Sequence, residues 1–448
     1  MRICFIPIDN RPVCYTLPKD ICAIDEDIEL FIPPRGCLGS LTESAKTEAI
    51  FDWMAHLPSM DTIVLSLDTL AYGGLISSRR TEDTFEEVKT RISRLKHIIA
   101  GKKVYAFSSI MRISNNNYNE EEKEYWKDWG KKIFEYSYNT SKYWHAPKND
   151  IPQEILRDYL KTRKRNFEIN KMYLDWQREG LFDTLIFSKD DCAEFGLNVE
   201  EAKELEKLGG KTKTGADEIP LTLLARSVNK EINIYPVYTE PEYKNCISNY
   251  EDISIEKSVL GQLDLAGFNV VDSENKADVV LVVNTFIEKQ GELVMGWPTQ
   301  GSTRIENFRF SSKPYAIADV RYANGADNEF VNQLFNSGIQ LPQYGYSAWN
   351  TSANTLGSLL AGIKVKFQAK NYNDKAYKKL QIIRYLDDWA YQANIRGQIN
   401  EPCNIKEFMK PYEEKIIRKL FTDTDCPAYD INYIYPWNRK FEIEVDIK

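Results

Sequence analysis

Histidine is nearly absent from this sequence. His56, His97 and His145 are the only three among 448 residues. None stands in an H-E-x-x-H or similar pair, so no histidine-built zinc site is expected. Long uncharged apolar runs are missing as well. Nothing approaches the roughly 18 residues that a membrane-crossing helix needs, and no membrane association is expected. Neither a G-x-G-x-x-G nor a P-loop spacing occurs, which removes the usual basis for nucleotide binding. Positive charge is in deficit, with 58 Lys and Arg against 66 Asp and Glu and a net charge of −8. Phosphate affinity comes from clustered cations, so nucleic acid is not an expected partner. The eight cysteines contain no C-x-x-C pair, and Cys4, Cys14, Cys22 and Cys37 follow no common zinc spacing. Free thiols suit a cytoplasmic protein. The opening Met1-Arg2-Ile3-Cys4-Phe5-Ile6-Pro7 lacks the apolar core of a signal peptide. No motif requires a metal or an organic cofactor, and none is expected.

What is present is an ordinary globular balance, 43% hydrophobic and 28% charged, which excludes wholesale disorder. Short β-rich runs alternate with amphipathic stretches over the first two-thirds of the chain. That rhythm marks βα units and a parallel sheet. Strands are expected at 3–8, 29–32, 62–67, 104–110, 184–187, 211–214, 232–237, 279–283, 315–318 and 343–346. Helical periodicity marks 43–56, 85–100, 120–136, 152–178, 199–208 and 219–228. The charged, aromatic stretch at about 115–180 reads as a helical insertion after the fourth strand. Two further helical segments, 375–393 and 405–420, and an alternating run at 441–447 close the chain. The expected class is α/β with parallel βα units. A (β/α)8-barrel-like catalytic domain over 1–362 is favoured over doubly wound Rossmann-like lobes, with a mainly helical C-terminal subdomain over 363–448 that ends in a strand. In the two-lobe alternative, 254–283 would belong to the second lobe.

In parallel α/β folds the reactive face lies at the carboxyl ends of the strands. Here those ends carry acids and amides one after another. Asp9 and Arg11 follow the first strand, Asp68 and Tyr72 the third, and Arg112 the fourth. Asp190 and Asp191 follow the fifth, and Asp217 and Glu218 the sixth. Asn284, Asp319, Trp349 and Asn350 follow later strands. One acidic pocket gathering these groups is expected. Asp190-Asp191 is its sharpest element, because adjacent carboxylates resist joint ionisation and leave an acid beside an anion. Each residue also has a plainer reading. Asp217 and Asp327 suit helix N-caps, Arg11 could clamp Asp9, and Trp349 and Trp297 could be buried rather than exposed for stacking on sugars. The tetrapeptides Gly215-Ala216-Asp217-Glu218 and Gly325-Ala326-Asp327-Asn328 repeat one local solution, glycine for a tight turn and Asp to open a helix.

Several blocks resemble the bacterial domain-of-unknown-function family 4127. They are Pro7-Ile8-Asp9-Asn10-Arg11-Pro12-Val13, Leu67-Asp68-Thr69-Leu70-Ala71-Tyr72-Gly73-Gly74-Leu75, Ser188-Lys189-Asp190-Asp191, Gly215-Ala216-Asp217-Glu218 with Leu223-Leu224-Ala225-Arg226, and Ala348-Trp349-Asn350-Thr351-Ser352-Ala353-Asn354-Thr355-Leu356-Gly357. That resemblance implies no activity. Asp190-Asp191 after a strand, with Asp319-Val320-Arg321-Tyr322-Ala323-Asn324 and the Trp349-Asn350 loop, is similar to O-GlcNAcase-like glycosidases. The second resemblance implies a (β/α)8 barrel and hydrolysis assisted by the substrate's acetamido group. Asp190 would then orient the acetamido nitrogen and Asp191 would protonate the leaving oxygen.

The expected function is a glycoside hydrolase acting on a small glycan or glycoside, N-acetylhexosamine-containing ones included. Asp191 would be the general acid/base and Asp190 its partner. Asp9, Arg11, Asp68, Tyr72, Arg112, Asp217, Glu218, Asn284, Asp319, Trp349 and Asn350 would contact the substrate. Two alternatives stay open: an Mg- or Mn-dependent hydrolase with an Asp-rich site, and a non-catalytic small-molecule binding protein.

Overall fold

The apolar runs become strands because both of their faces are covered. In a computed structural model of the chain, residues 1–448 are described except 191–192, 229, 302–304, 306–312 and 422–428. Two compact units account for them. The first comprises Met1–Tyr15, Glu29–Leu223 and Tyr250–Asp252, and the second Thr16–Ile28, Leu224–Asn249 and Ile253–Lys448.

The first unit holds β1 (Arg2–Ile6), β2 (Glu29–Phe31), β3 (Thr62–Ser66), β4 (Val104–Ile110), β5 (Thr184–Lys189) and β6 (Lys211–Thr214). They form one parallel sheet in the order β2-β1-β3-β4-β5-β6. Every residue of β3 and of β4 is buried, as expected for a parallel sheet with helices over both faces. From β1 the chain steps to β2 on one side and then returns to β3 on the other. The winding therefore reverses between β1 and β3, where open α/β sheets form their ligand crevice. Two long helices, Trp126–Tyr143 and Gln153–Arg178, separate β4 from β5. They fall within the stretch at about 115–180.

The second unit holds β7 (Asn233–Tyr238), β8 (Asn269–Val270), β9 (Val279–Asn284), β10 (Gly291–Glu292), β11 (Tyr315–Asp319), β12 (Tyr322–Ala323), β13 (Tyr346–Ser347), β14 (Ile431–Ile434) and β15 (Glu444–Ile447). Its main sheet is parallel, in the order β13-β11-β9-β7-β8. The winding reverses between β7 and β9, in the same pattern as the first sheet. β10 pairs with β12, and β14 pairs antiparallel with β15. The alternating burial of β15 matches the alternating sequence there. Residues 363–448 lie within this unit. The helix Asp374–Arg384 runs on into an eleven-residue π-helix, Tyr385–Ile395.

Neither large sheet is closed on itself by hydrogen bonds among the described residues. The strands expected to close one eight-stranded barrel are instead shared between a six-stranded and a five-stranded open sheet, each with its own core. No described helix is long and apolar enough to cross a membrane. The described cysteines Cys4, Cys14, Cys22, Cys37, Cys246 and Cys403 are free thiols.

Leu65 is fully buried in β3, between β1 and β4. Leu65→Ala should cost about 2–5 kcal/mol through lost contacts and a cavity. Urea unfolding followed by circular dichroism checks this; an unchanged midpoint would contradict the central placement of β3.

Candidate functional site

The polar strand ends of the first unit gather around one guanidinium. Arg11 stands just past β1 and is buried. Its Nε donates to Asp9 Oδ2 at 2.9 Å, and its backbone N–H donates to Asp9 Oδ1 at 2.9 Å. Its Nη2 lies 2.5 Å from Asp217 Oδ1 and 2.7 Å from Asp9 Oδ2. The clamp between Arg11 and Asp9 thus extends to a third residue, brought in from the end of β6.

Asp217 and Glu218 reach this place through a glycine turn. Gly215 has φ +105°, and a Cβ there would run into the Glu218 carboxyl. Glu218 folds back so that its Oε2 accepts the Ala216 N–H at 3.1 Å. Both acids are buried. Burial raises Asp217 above the usual carboxylate range against the pull of Arg11, and Asp9 and Asp190 add to the rise. Burial raises Glu218 well above its ordinary value, with Asp217, Glu251 and Asp190 contributing. Burial and crowding by other carboxyl groups thus act in the same direction on Glu218.

Asp190, at the end of β5, is half-buried. Arg112 Nη1 lies 3.3 Å from its Oδ2. Arg112 in turn meets Glu121 at 2.8 Å and Glu122 at 3.2 Å. Lys189 donates to Asp252 at 2.6 Å, and Thr214 to the same carboxylate at 2.7 Å. Asp191 lies outside the described residues.

Asp68 and Tyr72 are buried in the interior of the first unit. β3 runs directly into the helix Leu67–Tyr72, which Ser66 caps, and every residue of that helix is buried. Asp68 Oδ2 accepts the Ser109 N–H at 2.7 Å. Tyr72 lies beneath the Arg165 guanidinium, 5.1 Å from ring centre to Cζ.

The remaining sequence candidates belong to the second unit. Asn284 and Asp319 are fully buried. Asp319 accepts from Asn284 Nδ2 at 2.9 Å, Arg321 N at 3.4 Å, Asp327 N at 2.8 Å and Tyr346 Oη at 2.8 Å. Asp327 caps the helix Asn328–Asn336, as its plainer reading has it. Trp349 is 2% exposed, so its ring is core, whereas Trp297 is 44% exposed. Asn350 takes a left-handed backbone, φ +61°, and its carbonyl accepts the Asn324 N–H at 2.8 Å. Of the residues expected in the pocket, those before Leu224 thus lie at or behind the carboxyl edge of the first unit's sheet and the later ones at that of the second unit's sheet. Among the later ones the polar atoms are largely absorbed by mutual hydrogen bonds.

Several residues were not singled out from the sequence. Glu251 belongs to the first cluster through its field on Glu218, yet it follows no strand and carries no motif. Glu121, Glu122 and Arg79 lie in or beside the insertion, where charge reads as solvated surface. Asp387 and Asp388, paired with Arg384 at 3.0 and 3.1 Å, sit in a helical pattern, so they lacked the strand-end signal that marked Asp190-Asp191.

Asp9, Cys14 and Asp217 place one ligand atom each within 4.8 Å of one another. They are the described residues best placed to hold a metal. The Arg11 guanidinium already lies between the two carboxylates, and a thiol is a poor ligand for Mg2+ or Mn2+.

Over residues 3–446 the chain matches the family described as "Protein of unknown function (DUF4127)", and it belongs to that family. No curated protein and no solved structure gives a significant match.

The Asp68 carboxyl is pushed up to about 7, mainly by burial, against hydrogen bonds from Ser109 and Ser108 and the pull of Arg79. In the unfolded chain it titrates near 3.9. The native state therefore holds the extra proton between those values. Asp68's contribution to stability is full below about pH 4 and is lost as pH rises through about 7. Asp68→Asn should flatten that decline, by at most about 1.4 kcal/mol per pH unit. Chemical unfolding at pH 4, 5.5 and 7 measures it; an unaltered slope would place the titration elsewhere.

Proposed function

We propose that the chain hydrolyses a glycosidic bond in a small glycan or glycoside, using the carboxyl cluster at the strand ends of the first unit. The observation that carries this reading is the meeting of Asp9, Asp190, Asp217 and Glu218, with Glu251, around the Arg11 clamp, where burial and mutual crowding raise Asp217 and Glu218 above the ordinary carboxyl range. Glycoside hydrolysis needs that pairing: one carboxylic acid to protonate the leaving oxygen, and one carboxylate to act on the opposite side. Asp217 is the proposed proton donor. Asp190, half-buried and steadied by Arg112, is the proposed base that takes the proton of the attacking water. Asp191, next to it in the chain, keeps its place as an alternative acid/base. N-acetylhexosamine-containing glycosides are included because the sequence Asp190-Asp191 after a strand is of the type found in O-GlcNAcase-like enzymes, a resemblance of sequence alone.

A second reading is favoured by the three ligand atoms of Asp9, Cys14 and Asp217. It makes the chain a divalent-metal hydrolase, with Arg11 displaced when metal binds. The acid–base reading is preferred because the Arg11 guanidinium already fills the space between Asp9 and Asp217 at hydrogen-bond distance.

An aryl-glycoside panel separates the two. Under the acid–base reading hydrolysis persists in EDTA, and Asp217→Asn and Asp190→Asn each lower kcat by about 10²–10⁴-fold. Activity that EDTA abolishes and Mn2+ restores would favour the metal reading. Undiminished turnover in both variants would remove the proposed roles.

A further inference from the structure

Asp190 is the end of a chain of alternating charges. Arg112 holds Asp190 at 3.3 Å through Nη1, Glu121 at 2.8 Å through Nη2 and Glu122 Oε1 at 3.2 Å through Nε. The same Glu122 oxygen accepts from Arg79 Nη1 at 3.0 Å, and Arg79 Nη2 lies 3.7 Å from Glu121. Two carboxylates of the insertion are thus held between two guanidiniums. Arg79 is 2% exposed and Glu122 5%. Beyond Arg79 the field reaches Asp68.

Glu121 and Glu122 occupy a loop, not a regular element, so something else must hold them. Arg80, the last residue of the helix Leu75–Arg80, donates to the Glu122 carbonyl at 3.0 Å, to the Asn119 carbonyl at 3.2 Å and to the Glu120 carbonyl. Its Nη1 donates to the Leu41 carbonyl at 2.8 Å. One planar fork therefore ties the backbone of 119–122 to the helix that also carries Arg79. A lysine has one nitrogen and cannot span those acceptors.

We propose that Arg80 is a positioning residue: by gripping the backbone of 119–122 it presents Glu121 and Glu122 to Arg112, and Arg112 so held fixes the orientation of Asp190. The inference rests on the role given to Asp190 above, but its test does not depend on turnover alone. Losing the grip loosens Glu121 and Glu122 from Arg112, so Arg112 shifts and Asp190 turns with it from its working direction. A misplacement of about 1 Å can cost on the order of 100-fold in rate.

The test compares the full-length chain with Arg80→Lys and Glu122→Gln. Hydrogen–deuterium exchange of the 114–126 peptide reads the grip. Labelling of Asp190 by a water-soluble carbodiimide, read by tandem mass spectrometry, reports its environment. Turnover of any glycoside that the wild type cleaves reports its function. Arg80→Lys should speed exchange at 119–122 at least tenfold and change Asp190 labelling at least threefold. It should lower kcat by about 10–100-fold with KM within twofold. Glu122→Gln should reproduce the labelling and kcat effects with exchange unchanged, since Arg80 still grips the backbone. Unchanged exchange in Arg80→Lys overturns the grip. Faster exchange with unchanged labelling overturns the positioning of Asp190. A wild type that cleaves no glycoside defeats the hydrolase reading, while exchange and labelling still decide the positioning.

Discussion

The arrangement depends on one buried guanidinium. Arg11 joins a carboxylate from the end of β1 to one from the end of β6. In the sheet order these strands stand four strand spacings apart, roughly 19 Å at about 4.8 Å each. No single side chain covers that distance. The segments after β1 and β6 must lean across the intervening strand ends, and Arg11 is where they meet. A buried cation between two buried carboxylates stands only while all three are present, because removing one partner strands a charge at a cost of about 3–5 kcal/mol. The clamp therefore fixes the place where Asp217 and Glu218 can be, and with it the crowding that raises both acids.

The two sheets share a winding but not a chemistry. At the edge of the second sheet Asp319 is met by donors from Asn284, Arg321, Asp327 and Tyr346. Arg321 donates to the carbonyls of Thr285 at 2.8 Å and Gln300 at 2.6 Å. These bonds tie strand end to strand end, and buried hydrogen-bonded networks of this kind favour one packing. In the first unit burial and neighbouring carboxyl groups raise Asp217 and Glu218 together, and the proposed chemistry belongs with that pair.

β1, β3, β4, β5, β9 and β11 were legible in the sequence because each is an apolar run covered on both faces, and the period-two run at 441–447 was legible because one face of β15 is more open than the other. Strand-end acids were legible for the same reason. Which of them meet was not, since that follows from the winding, and no residue pattern records that β6 lies four places from β1. Asp68 and Tyr72 follow a strand as a mouth residue would. But β3 passes without a loop into a capped helix, and that turns both inward. Trp349 stands in a polar context, yet its neighbour Ala348 is pinned by Asp388 at 2.7 Å and its own carbonyl by Thr355 at 3.0 Å, and the ring is buried. Glu121 and Glu122 were invisible as site residues because their significance comes from two arginines that the fold, not the local sequence, brings to them.

The central claim is that the carboxyl edge of the first sheet receives a sugar. A crystal structure of the chain soaked with N-acetylhexosamines tests it most directly. The account predicts a sugar ring with its oxygens within hydrogen-bond distance of Asp190 and Asp217, and with the Arg11 clamp intact. A sugar bound only elsewhere, or a bare cluster at saturating ligand, would contradict it.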